Sequence, residues 1–318
     1  MIDTFGREIY YLRLSVTDRC NLRCRYCMPA DGICNKKRHE EMLTEDEMVM
    51  AVRAATSLGI RKLRLTGGEP LVKKNILSIC ERCAAVDGIR ELCMTTNGTL
   101  LPTMAGALKA AGVSRLNISL DTLDAEKYAA ITRVGVLDEA LRGIEAALDA
   151  GFAGIKINAV LIGGFNDGEI PALAELTRRW PVDVRFIELM PMTENETFGK
   201  NAYVPDEAVL TALPELVPAP QNDGVARLYR LPGAKGNVGL ISAVSNHFCA
   251  GCNRIRLTAD GKLKPCLHSD QECSIKGLSE EEMRREIEKV ILAKPACHAP
   301  LSALERSHAG RNMNQIGG

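Results

Sequence analysis

The chain is poor in aromatic side chains, with Phe, Trp and Tyr making up 4% of its 318 residues and only one Trp present. It also lacks an excess of either charge, since Lys+Arg and Asp+Glu each number 40. That balance gives no overall field to draw nucleic acid or a membrane surface, so an anionic partner has to be met by a local cluster of cations. No apolar run approaches the ~18 residues of a membrane span. The residues from Met1 to Cys20 are polar and charged, without the apolar core of a secretion signal. No G-x4-GK[ST] loop occurs, which excludes the phosphate cradle of a P-loop hydrolase. Internal repeats and low-complexity segments are absent as well. The expectation is a soluble cytoplasmic protein with no nucleic-acid and no membrane partner. Against these absences stand twelve cysteines. In a reducing compartment thiols stay free for metal or redox chemistry, so their spacing is the first thing to read.

Along the first two thirds of the chain, strand-like and helix-like stretches alternate. Thr44-x-x-Glu47 is a capping box opening an amphipathic helix to about Leu58. Strands are expected at KLRLT (Lys62 to Thr66), ELCMT (Glu91 to Thr95), SRLNISL (Ser114 to Leu120), GIKINAVLI (Gly154 to Ile162) and DVRFIEL (Asp183 to Leu189). Helices are expected around 75–86 and 101–111, from Ala125, from Leu137, and around 170–179. This rhythm implies βα units and a parallel sheet. Five or six units are too few for a closed eight-stranded barrel, so the fold class is α/β with a partial (β/α)6 TIM-type barrel. After Pro191 the rhythm breaks into a polar loop, a proline-rich stretch from Leu213 to Gly224, and two strands, VARLYRL and VGLISAV, expected to pair antiparallel across PGAKGN. A boundary is expected near Val217, dividing the barrel, 1–217, from a C-terminal α+β region, 218–318. That region has its own cysteine cluster, an amphipathic helix from Ser279 and a tail ending in diglycine.

TDRCNLRCRYCMP places Cys20, Cys24 and Cys27 on one short loop after the strand-like LRLSVT. Structural zinc closes its tetrahedron with four ligands at C-x2-C spacings, whereas this C-x3-C-x2-C supplies three and spaces the first pair too widely. Three thiolates suit three irons of a cubane cluster and leave the fourth iron open to a small molecule. FCAGCNRIRLTADGKLKPCL holds a second set of three, Cys249, Cys252 and Cys266. Here zinc and iron–sulfur fit the spacing equally, because His247, His268 or Cys273 could complete four ligands. Arg254 and Arg256 between these cysteines favour a cluster facing a charged substrate.

The C-x3-C-x2-C loop, followed by TGGEP (Thr66 to Pro70) at a strand end, resembles the radical S-adenosylmethionine enzymes. With CNRIRLT, TTNG (Thr95 to Gly98), ISLDT (Ile118 to Thr122), KINAV, RFIELM and the terminal diglycine, the chain resembles the GTP 3',8-cyclase family over its whole length. The resemblance implies two [4Fe-4S] clusters and S-adenosylmethionine as cofactors, with GTP as substrate. It implies the first step of molybdenum cofactor biosynthesis: a 5'-deoxyadenosyl radical takes hydrogen from ribose C3', C3' attacks guanine C8, and 3',8-cyclo-7,8-dihydro-GTP results. Cys20, Cys24 and Cys27 match the ligands of the S-adenosylmethionine-binding cluster, and Cys249, Cys252 and Cys266 those of the auxiliary cluster. Tyr26, Gly68, Ser119 and Met190 fall where the family contacts S-adenosylmethionine, and Arg13, Arg64, Thr95, Lys156, Arg254, Ile255 and Arg256 where it contacts GTP. Lys62 and Arg185 are further cations near the triphosphate. Arg13, Arg254, Arg256, Gly317 and Gly318 fall at the family's catalytic positions. Arginine forks suit phosphate oxygens, and strand-end placement of Arg64, Thr95 and Ser119 suits an active site at the C-terminal face of a barrel. The resemblance also implies a downstream partner, the cyclic pyranopterin monophosphate synthase protein, and a reductase or flavodoxin-type electron donor, and it leaves a homodimer open.

The other thiols read as packing. Cys80 and Cys83 share one helix face and are expected to be a buried pair. Cys34, Cys93, Cys273 and Cys297 have no partner at ligand spacing and are expected to be packing or surface thiols.

Overall fold

The computed structural model describes residues 1–32, 37–192, 198–199, 201–221, 224–301 and 307–317. Five strand–helix units and a sixth strand come first. The strands are β1 (Tyr11–Ser15), β2 (Lys62–Thr66), β3 (Glu91–Thr96), β4 (Arg115–Ser119), β5 (Ile155–Leu161) and β6 (Val182–Glu188). Between them run the helices α1 (Glu45–Thr56), α2 (Ile76–Ala84), α3 (Leu101–Ala110), α4 (Ala125–Thr132), α5 (Leu137–Asp149) and α6 (Ile170–Arg179). The expected capping box is present: the Thr44 hydroxyl accepts from the Glu47 amide, and the Glu47 carboxylate accepts from the Thr44 amide. The remainder contributes α7 (Glu207–Ala212), β7 (Val217–Pro218), β8 (Arg227–Arg230), β9 (Val238–Ile241), β10 (Arg254–Leu257), β11 (Lys262–Lys264), β12 (Cys273–Ser274), α8 (Glu280–Leu292) and α9 (Met313–Ile316).

Among the described residues all twelve strands join one sheet in the order β12-β11-β10-β1-β2-β3-β4-β5-β6-β9-β8-β7. β1 to β6 pair parallel, each with the next, as the alternation anticipates. The two end strands do not meet, so the sheet is open: a partial barrel. β8 and β9 pair antiparallel as expected. The sheet continues across Val217, because β9 lies parallel beside β6 and β10 parallel beside β1. The C-terminal residues thus extend both edges of the barrel.

Strand alternation divides the sheet into two faces. Leu12, Leu14, Leu63, Leu65, Leu116, Ile118, Ile155, Ile157, Val184, Phe186, Ile255 and Leu257 enter one large apolar core. Cys80 and Cys83 are fully buried there, as expected, and burial pushes both thiols up to about 12. The opposite face is polar. Among the described residues no helix is long and apolar enough to cross a membrane.

Candidate active site between two cysteine loops

The polar face gathers cations that are far apart in sequence. Because the parallel strands are in register, Arg13 lies beside Arg64 on one side and Arg256 on the other, and Tyr11 lies beside Lys62 and Arg254. Asn117 neighbours Thr95 and Lys156, and Asn158 neighbours Ser119 and Arg185. Arg64 donates Nε to the Tyr11 hydroxyl at 2.5 Å and Nη1 to the Met94 carbonyl at 3.0 Å and the Thr95 hydroxyl at 3.5 Å. Lys62 pairs with Glu91 at 2.6 Å. Burial and the neighbouring Arg13 and Arg254 push Arg256 down to about 9. Burial, Arg64 and Arg254 push Arg13 to about 10, and burial with Arg185 pushes Lys156 to about 8. Burial would raise the Tyr11 phenol, but Arg64, Arg13 and Arg254 outweigh it and draw it down to about 8. These shifts record crowded positive charge that an anion would relieve. Asn117 Oδ1, Asn158 Oδ1, Arg185 Nε and Arg254 Nε are buried and have no hydrogen-bond partner among the described residues. Buried polar atoms without partners are rare, and four on one face suit a polar ligand.

At the end of β1 the chain turns into the first cysteine loop. Val16 donates to the Thr66 carbonyl at 2.9 Å, Gly68 to Thr17 at 2.8 Å and Glu69 to Arg19 at 2.8 Å. A Cβ on Gly67, which has φ +147°, would strike the Thr17 carbonyl, and one on Gly68 the Arg19 carbonyl. The two glycines are therefore required by the close approach of the cysteine loop's own backbone. The Glu69 carboxylate ties GGEP to the next strand end, accepting from the Thr96 hydroxyl at 2.7 Å and the Asn97 amide at 2.7 Å. On its other flank the loop rests on α4: Arg23 and Arg25 donate to the Thr132 and Ile131 carbonyls, and Arg133 donates to the carbonyls of Arg23 and Met28. Arg133 is the only non-glycine residue with positive φ among those described, at 66°. The Tyr26 hydroxyl donates to Asp121 at 2.8 Å, which fixes its ring.

The half-buried thiols of this loop are crowded. Burial raises Cys20 to about 11, and burial with repulsion from Cys27, Asp121 and Cys20 raises Cys24 well above the ordinary range. The Leu22 amide points at Cys20 Sγ, 3.3 Å away. Thiols that must ionise together in such a place need cations to share their charge, which is the chemistry of an iron–sulfur cluster.

The second cysteine set frames the arginines of β10. Cys249 sits in a short turn whose carbonyl accepts from Arg7 at 2.9 Å, and Arg7 also donates to the carbonyls of Pro295 and Ala296. Burial would raise the Cys252 thiol, yet Lys294 and Arg254 outweigh it and hold it below the ordinary range. That thiol is prepared for the thiolate form a cluster requires. Of the side chains able to complete a zinc site, His247 and His268 pack against His298 with ring centroids 4.4 and 4.6 Å apart, and His268 meets the Ser307 hydroxyl. Cys273 is engaged elsewhere, by Glu286 of α8 at 2.9 Å. Among the described residues no three His, Cys, Asp or Glu side chains draw together around a single ion. A cubane asks for something else, one thiolate on each of several irons.

The tail enters between the two loops. Ile316 packs with Met192 and Ala309, against Met190, Leu267 and Met313. The Asn314 amide donates to the Asp18 carbonyl of the first loop at 3.1 Å. Gly317 is left-handed at φ +75°. Its carbonyl accepts from Arg13 at 3.2 and 3.3 Å and from Arg256 at 2.5 Å.

This arrangement has relatives. The chain matches the Radical SAM superfamily over residues 14–177 and Molybdenum Cofactor Synthesis C over residues 182–300. A GTP 3',8-cyclase of Alkaliphilus oremlandii is 47% identical over the full length of both chains, and one of Pelotomaculum thermopropionicum 48% identical, again over both full lengths. The chain belongs to the GTP 3',8-cyclase family. In fold it is similar to Streptococcus suis SuiB, solved with S-adenosylmethionine, at a TM-score of 0.64, 15% identity, and 84% coverage of this chain against 63% of SuiB.

Most positions carried over from the family converge. Arg13, Arg64, Thr95, Lys156, Arg254 and Arg256 share the polar face, with Arg185 and Lys62. Arg64 lies in the middle of β2 and not at its end. Ile255 is the exception: between two residues that face the site, strand alternation turns its side chain into the apolar core. Gly318 and Cys34 lie outside the described residues. Cys93 is buried beside Arg64, and Cys297 is exposed. Sequence reading missed Tyr11, Asn117, Asn158 and Asp121. Only strand register shows that Tyr11 belongs with the arginines, although Asp121 stands inside the quoted ISLDT.

Proposed function

We propose that the chain converts GTP to 3',8-cyclo-7,8-dihydro-GTP, the entry step of molybdenum cofactor biosynthesis. The observation that carries this reading is the buried cationic face between two three-cysteine loops. Cys20, Cys24 and Cys27 would hold one four-iron cluster, and Cys249, Cys252 and Cys266 the other. When bound, the first cluster and S-adenosylmethionine supply the hydrogen-atom abstraction at ribose C3' that starts cyclisation.

The chain's own residues bind and orient. Arg13, Arg64, Lys156 and Arg256, with Lys62 and Arg185 near them, hold the triphosphate, where paired guanidinium forks fit phosphate oxygens. Asn117 and Asn158 offer buried hydrogen-bonding atoms to ribose or base. Tyr26, Gly68, Ser119 and Met190 line the S-adenosylmethionine side, with the Tyr26 ring fixed by Asp121. Arg254 orients the base toward the second cluster, and Gly317, with Gly318, closes the site with backbone alone. Residues 1–217 act as the barrel that starts the chemistry, and 218–318 as the part that holds the auxiliary cluster. In the cytoplasm a reductase or flavodoxin-type donor would supply electrons, the cyclic pyranopterin monophosphate synthase protein would take the product, and the chain would work alone or as a homodimer.

The product is an isomer of GTP, because one hydrogen leaves C3' and one is gained at the end. The test is therefore anaerobic turnover of GTP deuterated at C3', with S-adenosylmethionine and reductant. A GTP isomer with new chromatographic retention and deuterium in 5'-deoxyadenosine are expected. Deoxyadenosine without deuterium, or no isomer, would overturn the reading.

A further inference from the structure

Four-residue α9 cannot hold its own shape, since helices this short are unstable alone. Something outside it has to fix where Gly317 arrives. Just before it stands Arg311, whose guanidinium is gripped by two carboxylates at once. Nε and Nη2 donate to Glu272 at 2.6 Å each, and Nη1 and Nη2 donate to Asp260 at 3.1 Å each. Both carboxylates are anchored in turn. Asp260 also accepts from the Thr258 hydroxyl and from Lys37, each at 2.5 Å. Glu272 also accepts from Lys264, a fully buried lysine, at 3.1 Å. The side chains of Arg311, Asp260 and Glu272 are 16%, 5% and 19% exposed, well short of the open surface where ion pairs contribute little.

The clamp's position is what gives it meaning. Asp260 is in the turn between β10 and β11, and β10 carries Arg254 and Arg256. The grip therefore fixes the tail to the same hairpin whose Arg256 meets the Gly317 carbonyl. Lys37 joins the chain that follows the first cysteine loop to that point. We propose that Arg311, forked between Asp260 and Glu272, is the positioning residue that delivers Gly317 to Arg13 and Arg256. This rests on the reading that the diglycine works inside the site.

The experiment uses full-length reconstituted protein in five forms: wild type, Arg311→Gln, Arg311→Lys, a deletion of residues 317–318, and Arg311→Gln combined with that deletion. In Arg311→Gln, iron content and S-adenosylmethionine cleavage should match wild type, while the amides of 313–317 exchange hydrogen much faster. Product yield should fall on the order of a hundredfold, the scale on which an ångström of misplacement acts. Arg311→Lys should recover part, since it keeps the charge and loses the fork. The combined variant should be no worse than the deletion. Unchanged exchange at 313–317 in Arg311→Gln would overturn the proposal, and so would multiplying losses in the combined variant. If Arg311→Gln does not fold, Asp260→Asn releases the clamp from its other side and should show the same exchange pattern, unchanged exchange again counting against it. Wild-type yield from the deletion alone would sink the diglycine reading instead, while the exchange result would still decide whether Arg311 places the tail.

Discussion

Gly317→Ala tests how the tail fits, and its cost can be built from two separate causes. The position is left-handed, at φ +75°, and an L side chain there costs about 1–2 kcal/mol. The new Cβ would also stand 2.6 Å from Thr66 Cγ2, on a residue only 2% exposed. Overpacking of a close-packed site costs about 1–3 kcal/mol. The sum, about 2–5 kcal/mol, weakens docking of the tail and not the fold, because α9 can leave while the sheet stays intact. Each ~1.4 kcal/mol is a factor of ten, so product yield should drop by at least tenfold with iron content unchanged. Thr66→Ser in the same chain removes the offending methyl and leaves Oγ1, which lies 3.7 Å from the new Cβ. It should return the packing part of the loss and not the backbone part. The assay is GTP-dependent product formation of the two single variants and the double, under anaerobic conditions. Full yield from Gly317→Ala would refute the close fit. A double variant no better than Gly317→Ala would refute the assignment of the clash to Thr66.

Anaerobically reconstituted protein should contain about eight irons, two four-iron cubanes; Cys27→Ala should abolish S-adenosylmethionine cleavage, whereas Cys252→Ala should keep uncoupled cleavage and lose cyclisation, and equal loss of both would argue against separate roles. Arg256→Ala removes a desolvated charged contact, a loss of about 2–5 kcal/mol or ~30-fold to several thousandfold in product, and Arg256→Lys should recover little because the fork is gone; near-wild-type yield from the lysine variant would mean that charge alone suffices. Asp260 is held at about 2: burial would raise it, but hydrogen bonds from Lys37, Thr258 and Arg311 outweigh burial. Its folded value lies below the unfolded one of ~3.9, so its contribution is complete above that value and lost only as pH falls from about 4 to about 2. Exchange protection of α9, corrected for the intrinsic rate, should stay level from about pH 5 to 7, below the range in which Tyr11 and Arg256 titrate, and a decline within that span would show that another group carries the hold.

The barrel strands were legible because their signal is local. KLRLT and the helix over 170–179 fall on β2 and α6 residue for residue, since alternation and caps are short-range patterns. The edges were not legible. Nothing in VGLISAV says that it will lie beside β6, a choice made by two strand edges that meet only after folding. The same limit applies within the site. The cysteine loops announce themselves by spacing, and the arginines of CNRIRLT by standing between cysteines. Tyr11 looks like one more apolar strand residue until register sets it against Lys62 and Arg254. TGGEP was legible as a motif at a strand end, but what its two glycines make room for, the backbone of the cysteine loop, is a tertiary fact.

Register also explains how a chain with no net charge can present so cationic a site. Neighbouring strands lie about 4.8 Å apart. In-register side chains on one face therefore stand side by side, as Arg13 does between Arg64 and Arg256. Two like charges about 5 Å apart repel by roughly 3 kcal/mol at an effective dielectric near 20. Such an arrangement works against folding, and the polar face tempers it only in part. Tyr11, between Arg64, Arg13 and Arg254, is drawn toward its anionic form, and Glu91 pairs with Lys62. The Gly317 carbonyl, a dipole without charge, accepts from Arg13 and from Arg256. The acids that balance the chain's charge serve other places: Asp260 and Glu272 hold Arg311, and Glu281 caps surface arginines on α8. What is left on the sheet is positive charge, with buried atoms that have no partner among the described residues, and a triphosphate supplies several negative charges in the shape guanidinium forks accept.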